Sequence, residues 1–311
     1  FKDVAFESEK AVYDALKRLG YEANYLGLHD NLDRLIQELR AMQPDLIFNL
    51  TEAFNGRRDQ SPQLAGLFEL MNIPYTGTQS LGLDLAQDKD LAKKILAHHR
   101  IRIPKWVMSR HRRPLRSFKT FQFPAFVKLA SEEASEGISR DSFVQTEAQC
   151  LQRVSFLHEK YAGDVIVEEY IDGREIYASV LGNKRLQVFP LREITFKQFP
   201  DDLPKFATYK TKWDEEYRKK WGIKNEFAED VSEEALKQIH AVVKRSYEAL
   251  QLKGYARFDL RLSEKGEVVV LEANPNPSLS PWDDFAKSVV KSGLSYDDLV
   301  AKLVELALQA A

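Results

Sequence analysis

The sequence predicts an α/β fold that passes into α+β layers, and three observations carry the prediction. Helix-like and strand-like segments alternate over residues 1–86, the pattern of a parallel layer. Mixed strands and helices follow. Near the end, a hairpin gathers carboxylate, amide and guanidinium side chains. The 311 residues are 44% hydrophobic and 30% charged, which suits a globular chain of two or three subdomains. A net charge of -2 with interspersed signs argues against nucleic acid or an anionic membrane as partner. The single cysteine, Cys150, excludes an intramolecular disulfide framework. It suits a reducing cytoplasm and reads as a buried structural thiol. No apolar run reaches the roughly 20 residues that span a bilayer, and no signal peptide is visible, so a cytoplasmic location is expected. The chain opens at Phe1 without Met, and its start is expected to be either truncated or simply not seen.

Helical periodicity covers 8–19 (Val12, Leu16, Leu19) and stops at Gly20. It returns over 31–42. Residues 44–50 read as a buried strand, 52–60 as a polar loop, 64–71 as a helix, and Ile73-Pro-Tyr-Thr-Gly77 as a strand and turn. A helix fits 88–98. A second module begins at 103–107. It holds a strand at 123–128, a small-residue loop at 130–137, a helix at 146–161 and a strand at 165–168. A third holds a strand at 175–181, a helix at 232–250 capped near Ser232, the hairpin, and a final helix from Tyr296. The charged stretch 193–229 has weak periodicity and reads as a long irregular lid. The expected domains are 1–86 (N-terminal α/β), 87–165 (central) and 166–311 (C-terminal, with the lid).

The hairpin carries the chemistry. Tyr255-Ala-Arg-Phe-Asp-Leu-Arg-Leu262 and Val268-Val-Val-Leu-Glu-Ala-Asn-Pro-Asn-Pro277 flank Ser263-Glu-Lys-Gly266. If the loop holds an even number of residues, alternation puts Arg257, Asp259, Glu272 and Asn274 on one face. Hard oxygen ligands in such a cluster suit Mg²⁺, which leaves positions for water and phosphate. Solvated surface acids are the ordinary explanation for such residues. Against it, Glu272 ends an unbroken apolar run, where an unpaired charge is costly. The rigid exit Asn274-Pro-Asn-Pro277 is also a site-like loop. Lys128 ends an apolar strand beside Ser131, Ser135 and Gly137; such a lysine and loop can hold phosphate or simply snorkel, and the spacing is not that of a P-loop. Glu168-Glu-Tyr-Ile-Asp-Gly-Arg-Glu175 can line an adenine and ribose slot, or be a turn with surface acids. The six histidines show no metal-ligand spacing.

In order, these pieces resemble the ATP-grasp superfamily, and within it the D-alanine–D-alanine ligase group, over essentially the whole chain. Phe68-Glu-Leu-Met-Asn-Ile-Pro-Tyr-Thr-Gly77 with Asp88-Lys89, Phe126-Val-Lys128 with Ser135-Glu-Gly-Ile138, Val167 to Glu175, Ala256-Arg-Phe-Asp259 and Leu271-Glu-Ala-Asn274 match its motifs. Each is modest; five in order are strong together. The resemblance implies an ATP-grasp fold whose two α+β subdomains clamp ATP. It implies two Mg²⁺ ions (Mn²⁺ an acceptable substitute) on Asp259, Glu272 and Asn274. Lys89 and Lys128 would meet phosphates. Glu168, Glu169, Tyr170 and Ile171 would line adenine, and Glu175 would meet ribose. Lys212 would reach the γ-phosphate from the lid, and Arg257 would stabilise an acyl phosphate, with Ser135 in the phosphate loop. The partners implied are small carboxylates and amines, amino acids or short peptides, and the group is compatible with a homodimer.

The departures lie on the acceptor side. The phosphate loop reads Glu133-Ala134-Ser135 where the group has Gly-Ser-Ser, and the lid reads Lys212-Trp213 where it has Lys-Tyr. The N-terminal Glu of that cluster is expected to be missing. Asn55 in Asn55-Gly-Arg57 replaces a His. After Asn274 the chain reads Pro275-Asn-Pro-Ser278-Leu, then Trp282-Asp-Asp-Phe285. Asn55, Trp213, Asn276, Ser278 and Ser280 are the expected substrate-side residues. The expected function is an ATP-dependent carboxylate–amine ligase acting through an acyl phosphate on a substrate other than D-alanine. The alternatives are a D-alanine–D-alanine (or D-lactate) ligase, and a non-catalytic ATP-binding regulator. Asp283-Asp284 suits either a cationic substrate or a helix start.

Overall fold

A computed structural model describes residues 7–130, 137–200 and 203–310. Helix α1 (Glu7–Arg18) buries Val12 and Ala15 against Leu299, Val300 and Leu303 of the last helix, α11 (Tyr296–Ala310). Helix α2 (Leu32–Met42) starts where the Asn31 side chain accepts the Arg34 N–H at 2.8 Å. Its Leu35 and Leu39 pack on Leu64 and Phe68 of α3 (Ser61–Leu70).

The expected parallel layer is reduced to a single parallel bridge, Ile47 to Tyr75. Among the described residues no longer strand precedes Trp106. Side chains take over the ladder: the Asn49 N–H donates to Thr76 Oγ1 at 2.9 Å, and Asn49 Oδ1 accepts the Thr51 N–H at 3.1 Å. Helix α4 (Ser80–Gln87), not expected, leads into α5 (Lys89–His98). Asp88 caps α5 by accepting the Asp90 and Leu91 N–H groups, each at 3.0 Å.

Strands β1 (Trp106–Ser109), β2 (Ala125–Leu129), β3 (Phe143–Val144) and β4 (Val165–Glu169) form an antiparallel sheet in the order β1-β4-β2-β3. Helix α6 (Glu147–Tyr161) covers one face, with Cys150, Val154 and Leu157 against Val127 and Val165. Cys150 is fully buried, and burial pushes its thiol up to about 12. This fits the structural role expected of it.

The second sheet runs β10-β9-β5-β7-β8, with β6 (Gln187–Val188) beside β5. The strands are β5 (Arg174–Leu181), β7 (Arg192–Phe196), β8 (Ile223–Phe227), β9 (Tyr255–Leu262) and β10 (Val268–Pro275). Helix α9 (Glu233–Ala249) packs Ile239, Val243 and Tyr247 on Ile176, Ala178, Ala256, Phe258 and Leu260. Each fully buried branched or aromatic side chain contributes roughly 1.5–3 kcal/mol. Strand alternation sends Glu175, Tyr177, Arg257, Asp259 and Arg261 to the opposite face.

The stretch 193–229 is not irregular, contrary to expectation. Its described part holds β7, α7 (Tyr209–Trp213), α8 (Glu215–Trp221) and β8. Phe196, Phe199 and Trp221 stack edge-to-face around the β7–β8 hairpin. Elements of five to seven residues are too short to show a clear period. Helix α10 (Asp284–Lys291) starts at the acidic pair. No helix among the described residues is long and apolar enough to cross a membrane.

Candidate active site

The hairpin's face depends on one residue. The connection is odd, because Leu262 pairs with Val268 across five residues, 263–267. An unbroken register would pair Phe258 with Glu272 and turn Glu272 toward the α9 core. The pairing instead shifts between Val270 and Glu272, leaving Leu271 as a bulge. Beyond it Asp259 faces Glu272, and Arg257 faces Asn274. The bulge restores the parity that an even loop would have produced.

Arg257 grips Asp259 with two hydrogen bonds, Nε to Oδ1 at 2.8 Å and Nη2 to Oδ2 at 3.1 Å. Burial raises the Asp259 pKa against the opposing pull of Arg257. Burial acts in the same sense on Glu272, but Lys89 at 3.2 Å, with Lys128 and Lys212 further off, outweighs it and brings the carboxyl down to about 2. Asn274 presents a buried amide nitrogen with no hydrogen-bond partner. Two carboxylates in cross-strand register beside that amide are a hard-oxygen donor set. They fit a divalent cation that takes its remaining ligands from phosphate and water. Among the described residues no group of three or more His, Cys, Asp or Glu is placed so that it could hold a metal ion.

Lys128 and Lys93 share one carboxylate. Glu168 Oε2 lies 3.1 Å from Lys128 Nζ, and Oε1 lies 2.9 Å from Lys93 Nζ. All three side chains are less than 10% exposed. Burial lowers the Lys93 pKa, and Glu168 does not offset it. For Lys128, burial pulls down, but Glu168 together with Glu272 and Asp259 outweighs it and the pKa rises. Glu168 was expected to line adenine; its oxygens are counter-ions to two lysines. Lys93 was missed. Its signal was the spacing from Lys89, one turn along the same helix face.

The slot beside Lys128 is lined by Phe126, Ile138, Tyr170, Ile171, Phe206 and Leu271, together with Glu169 and Glu175. Phe126 meets Phe206 edge-on at 4.9 Å, and Tyr170 meets Phe143 at 4.8 Å. An apolar, aromatic crevice of this kind suits a planar base. The Glu169 carboxylate is taken up by Arg102 at 3.1 Å and the Lys105 N–H at 3.1 Å. Glu175 is held by Arg261 at 3.0 Å and Tyr177 Oη at 3.0 Å.

A cavity of about 680 Å³ adjoins the slot. Lys89, Lys128, Lys212, Arg257, Glu272 and Asn274 form its inner end; Trp213, Ser278, Trp282 and Asp283 lie further out. Lys212 is close enough to Asp259 and Glu272 to favour their charged forms. Asn276 is also on the wall, but its Oδ1 accepts the Thr78 N–H at 2.8 Å and ties the N-terminal region to β10. Two expected substrate residues are not among those lining this cavity. Asn55 sits on an exposed turn, where its N–H donates to His29 O; Asn49, Glu52 and Arg58 line the wall from that region instead. Ser280 turns its hydroxyl to the Trp282 N–H. Asp284 is paired with Arg192, so of the acidic pair only Asp283 could meet a cation. Ser135 and the loop reading at 131–136 lie outside the described residues.

An aromatic slot, converging lysines and an acid pair, together with two α+β layers, are the features of an ATP-grasp ligase, an enzyme forming C–N bonds. The chain belongs to the family described as D-ala D-ala ligase C-terminus, which matches residues 86–305. It is 29% identical over 302 residues to the uncharacterized protein y4sG of Sinorhizobium fredii, covering 96% of this chain and 86% of that one. It is 31% identical over 270 residues to D-alanine–D-alanine ligase A of Salmonella typhimurium, covering 85% and 70%. The fold is that of the Bacillus anthracis D-alanine–D-alanine ligase complexed with ATP, with TM-score 0.78, 22% identity and 99% and 93% coverage. The VanG D-Ala:D-Ser ligase of Enterococcus faecalis aligns with TM-score 0.67 and 25% identity, covering 85% and 73%.

Proposed function

We propose that this chain joins a carboxylate to an amine through an acyl phosphate. The carboxylate oxygen attacks the γ-phosphorus of ATP and ADP leaves. The amine then attacks the acyl carbon, phosphate leaves, and the amine nitrogen loses its proton. The cross-strand pair Asp259–Glu272, on the sheet face toward which Lys89, Lys128 and Lys212 converge, carries this reading. Asp259, Glu272 and Asn274 would hold Mg²⁺, which supplies charge neutralisation and alignment of the phosphates when bound. Lys89 and Lys128 would hold phosphate oxygens, and Lys212 would meet charge on the transferring group. Arg257 would face the acyl phosphate. The crevice around Phe126, Tyr170, Ile171 and Phe206 would take adenine, with Glu175 toward ribose.

The domain division at residues 87 and 166 belongs to the same proposal, with the nucleotide between the second and third units. The acceptor side differs from the D-alanine group at Trp213, Ser278 and 282–285, and we read the substrate as one other than D-alanine. The names of the relatives favour D-alanine instead. The deciding experiment is the variant Asp259→Asn with Glu272→Gln, assayed for ADP release across paired amino acids and short peptides. Loss of substrate-dependent ADP is expected, and wild-type rates in the variant would refute the acid pair's role. Rapid phosphate release by the wild type at millimolar D-alanine would select the second reading.

A further inference from the structure

The acceptor side of the cavity is tied to the lid by a chain of hydrogen bonds. Asp284, at the start of α10, accepts from Arg192 Nε at 3.0 Å through Oδ1 and from Asn225 Nδ2 at 2.6 Å through Oδ2. Asn225 is on β8, and its Oδ1 accepts from Arg218 Nη2 of α8 at 3.0 Å. Arg218 Nη1 in turn donates to the Thr211 carbonyl of α7, next to Lys212. Arg192 Nη2 also donates to the Asn225 carbonyl at 2.6 Å. Arg192 is almost wholly buried, and Asp284, Asn225, Arg218 and Lys212 border the same cavity.

Direction is built into this chain. A carboxylate only accepts, so Asn225 must turn its NH₂ to Asp284, which leaves its oxygen for Arg218. Were the group at 284 an amide, either orientation of Asn225 would be available, and one of them points its NH₂ at the Arg218 donors. Helix α7 has five residues, far below the length at which a helix holds itself in water. Its Thr208–Thr211 capping box secures one end; Arg218 secures a carbonyl near the other.

We propose that Asp284 is a positioning residue: through Asn225 and Arg218 it sets the place of α7, and hence of Lys212 above Asp259 and Glu272. The proposal rests on the phosphate role read for Lys212. Asp284→Asn should lower kcat for ADP release about tenfold with the KM for ATP little changed, since a small misplacement of a positioning group is costly in rate. The reciprocal double variant Asp284→Asn with Asn225→Asp restores every donor and acceptor in reverse. The introduced amide accepts from Arg192 and donates to the introduced carboxylate, which accepts from Arg218. The double variant should return kcat to within about twofold of wild type, a rescue that general destabilisation would not produce. Hydrogen exchange of the 209–214 amides should rise in the single variant and fall back in the double. Unchanged exchange in the single variant, or a double no better than the single, would overturn the proposal. If exchange follows the proposal while kcat does not, the positioning stands and the role read for Lys212 fails.

Discussion

Glu168→Gln tests the buried charge arrangement most directly. Glu168 lies 2.9 Å from Lys93 and 3.1 Å from Lys128, and each of the three is at least nine-tenths buried. Each pair is worth about 5 kcal/mol of attraction at an effective dielectric of about 20, most of it spent on desolvation. With the charge gone, two ammonium groups face each other without a counter-ion. The cheapest relief is release of the Lys93 proton. At pH 7 that costs at most about 5 kcal/mol from an ordinary lysine value, and less here because burial already lowers the Lys93 pKa. A loss of about 3–5 kcal/mol follows. In urea unfolding at a slope of roughly 3 kcal/mol/M, the midpoint should fall by about 1–1.7 M. The sign of the pH effect is fixed. Glu168 raises Lys93, which burial holds below 10.5, so in the variant Lys93 falls further; between its folded and unfolded pKa the unfolded variant binds more protons, and its stability rises with pH more than that of the wild type. The deficit of the variant should therefore shrink from pH 7 to pH 9.5. Glu168 itself lies below 4.5 in the folded state. Its contribution is present above that value and is lost as acid carries the pH down through the folded one, a slope the variant should lack. A Glu168→Gln midpoint within experimental error of wild type at pH 7 would refute the reasoning.

Gly77→Ala should destabilise by roughly 2–4 kcal/mol. Its φ is +99°, and a methyl group there would meet Asn276 Oδ1 at 2.4 Å, against the bond that Oδ1 makes to Thr78. Urea unfolding checks this, and an unchanged midpoint would show that residue 276 yields freely. Cys150, fully buried with its thiol raised to about 12, should resist a thiol reagent at pH 8 in the folded protein and react promptly in denaturant. Equal rates in both states would contradict its burial.

Much of the fold and site was legible in the residues. Helices near 8–19, 31–42, 88–98, 146–161 and 232–250 were legible, the last also by its cap near Ser232; the structure adds caps at Asn31, Asp88 and Thr146. The N-terminal strand was misread because an apolar run at 44–50 looks the same whether its backbone pairs with a strand or with side chains such as Thr76 Oγ1. Lys93 was overlooked because a lysine at helical spacing normally marks a solvated face; only the approach of β4 turns it inward. Helix α10 was one of two readings open for Asp283-Asp284, and the partners of Asp284 come from β7 and β8, distant in sequence.

By itself the sequence marked the residues on which the proposed chemistry rests, because carboxylates, an amide and lysines at the ends of apolar strands are costly unless they are paired or bound. Only the tertiary structure decided where those groups lie and what they pair with. The Leu271 bulge decides which face Glu272 takes, since a slip of one residue reverses every side chain beyond it. The sharing of Glu168 by two lysines, and the bond chain from Asp284 to α7, arise where separate elements meet. Such meetings are set by packing, which no local pattern records.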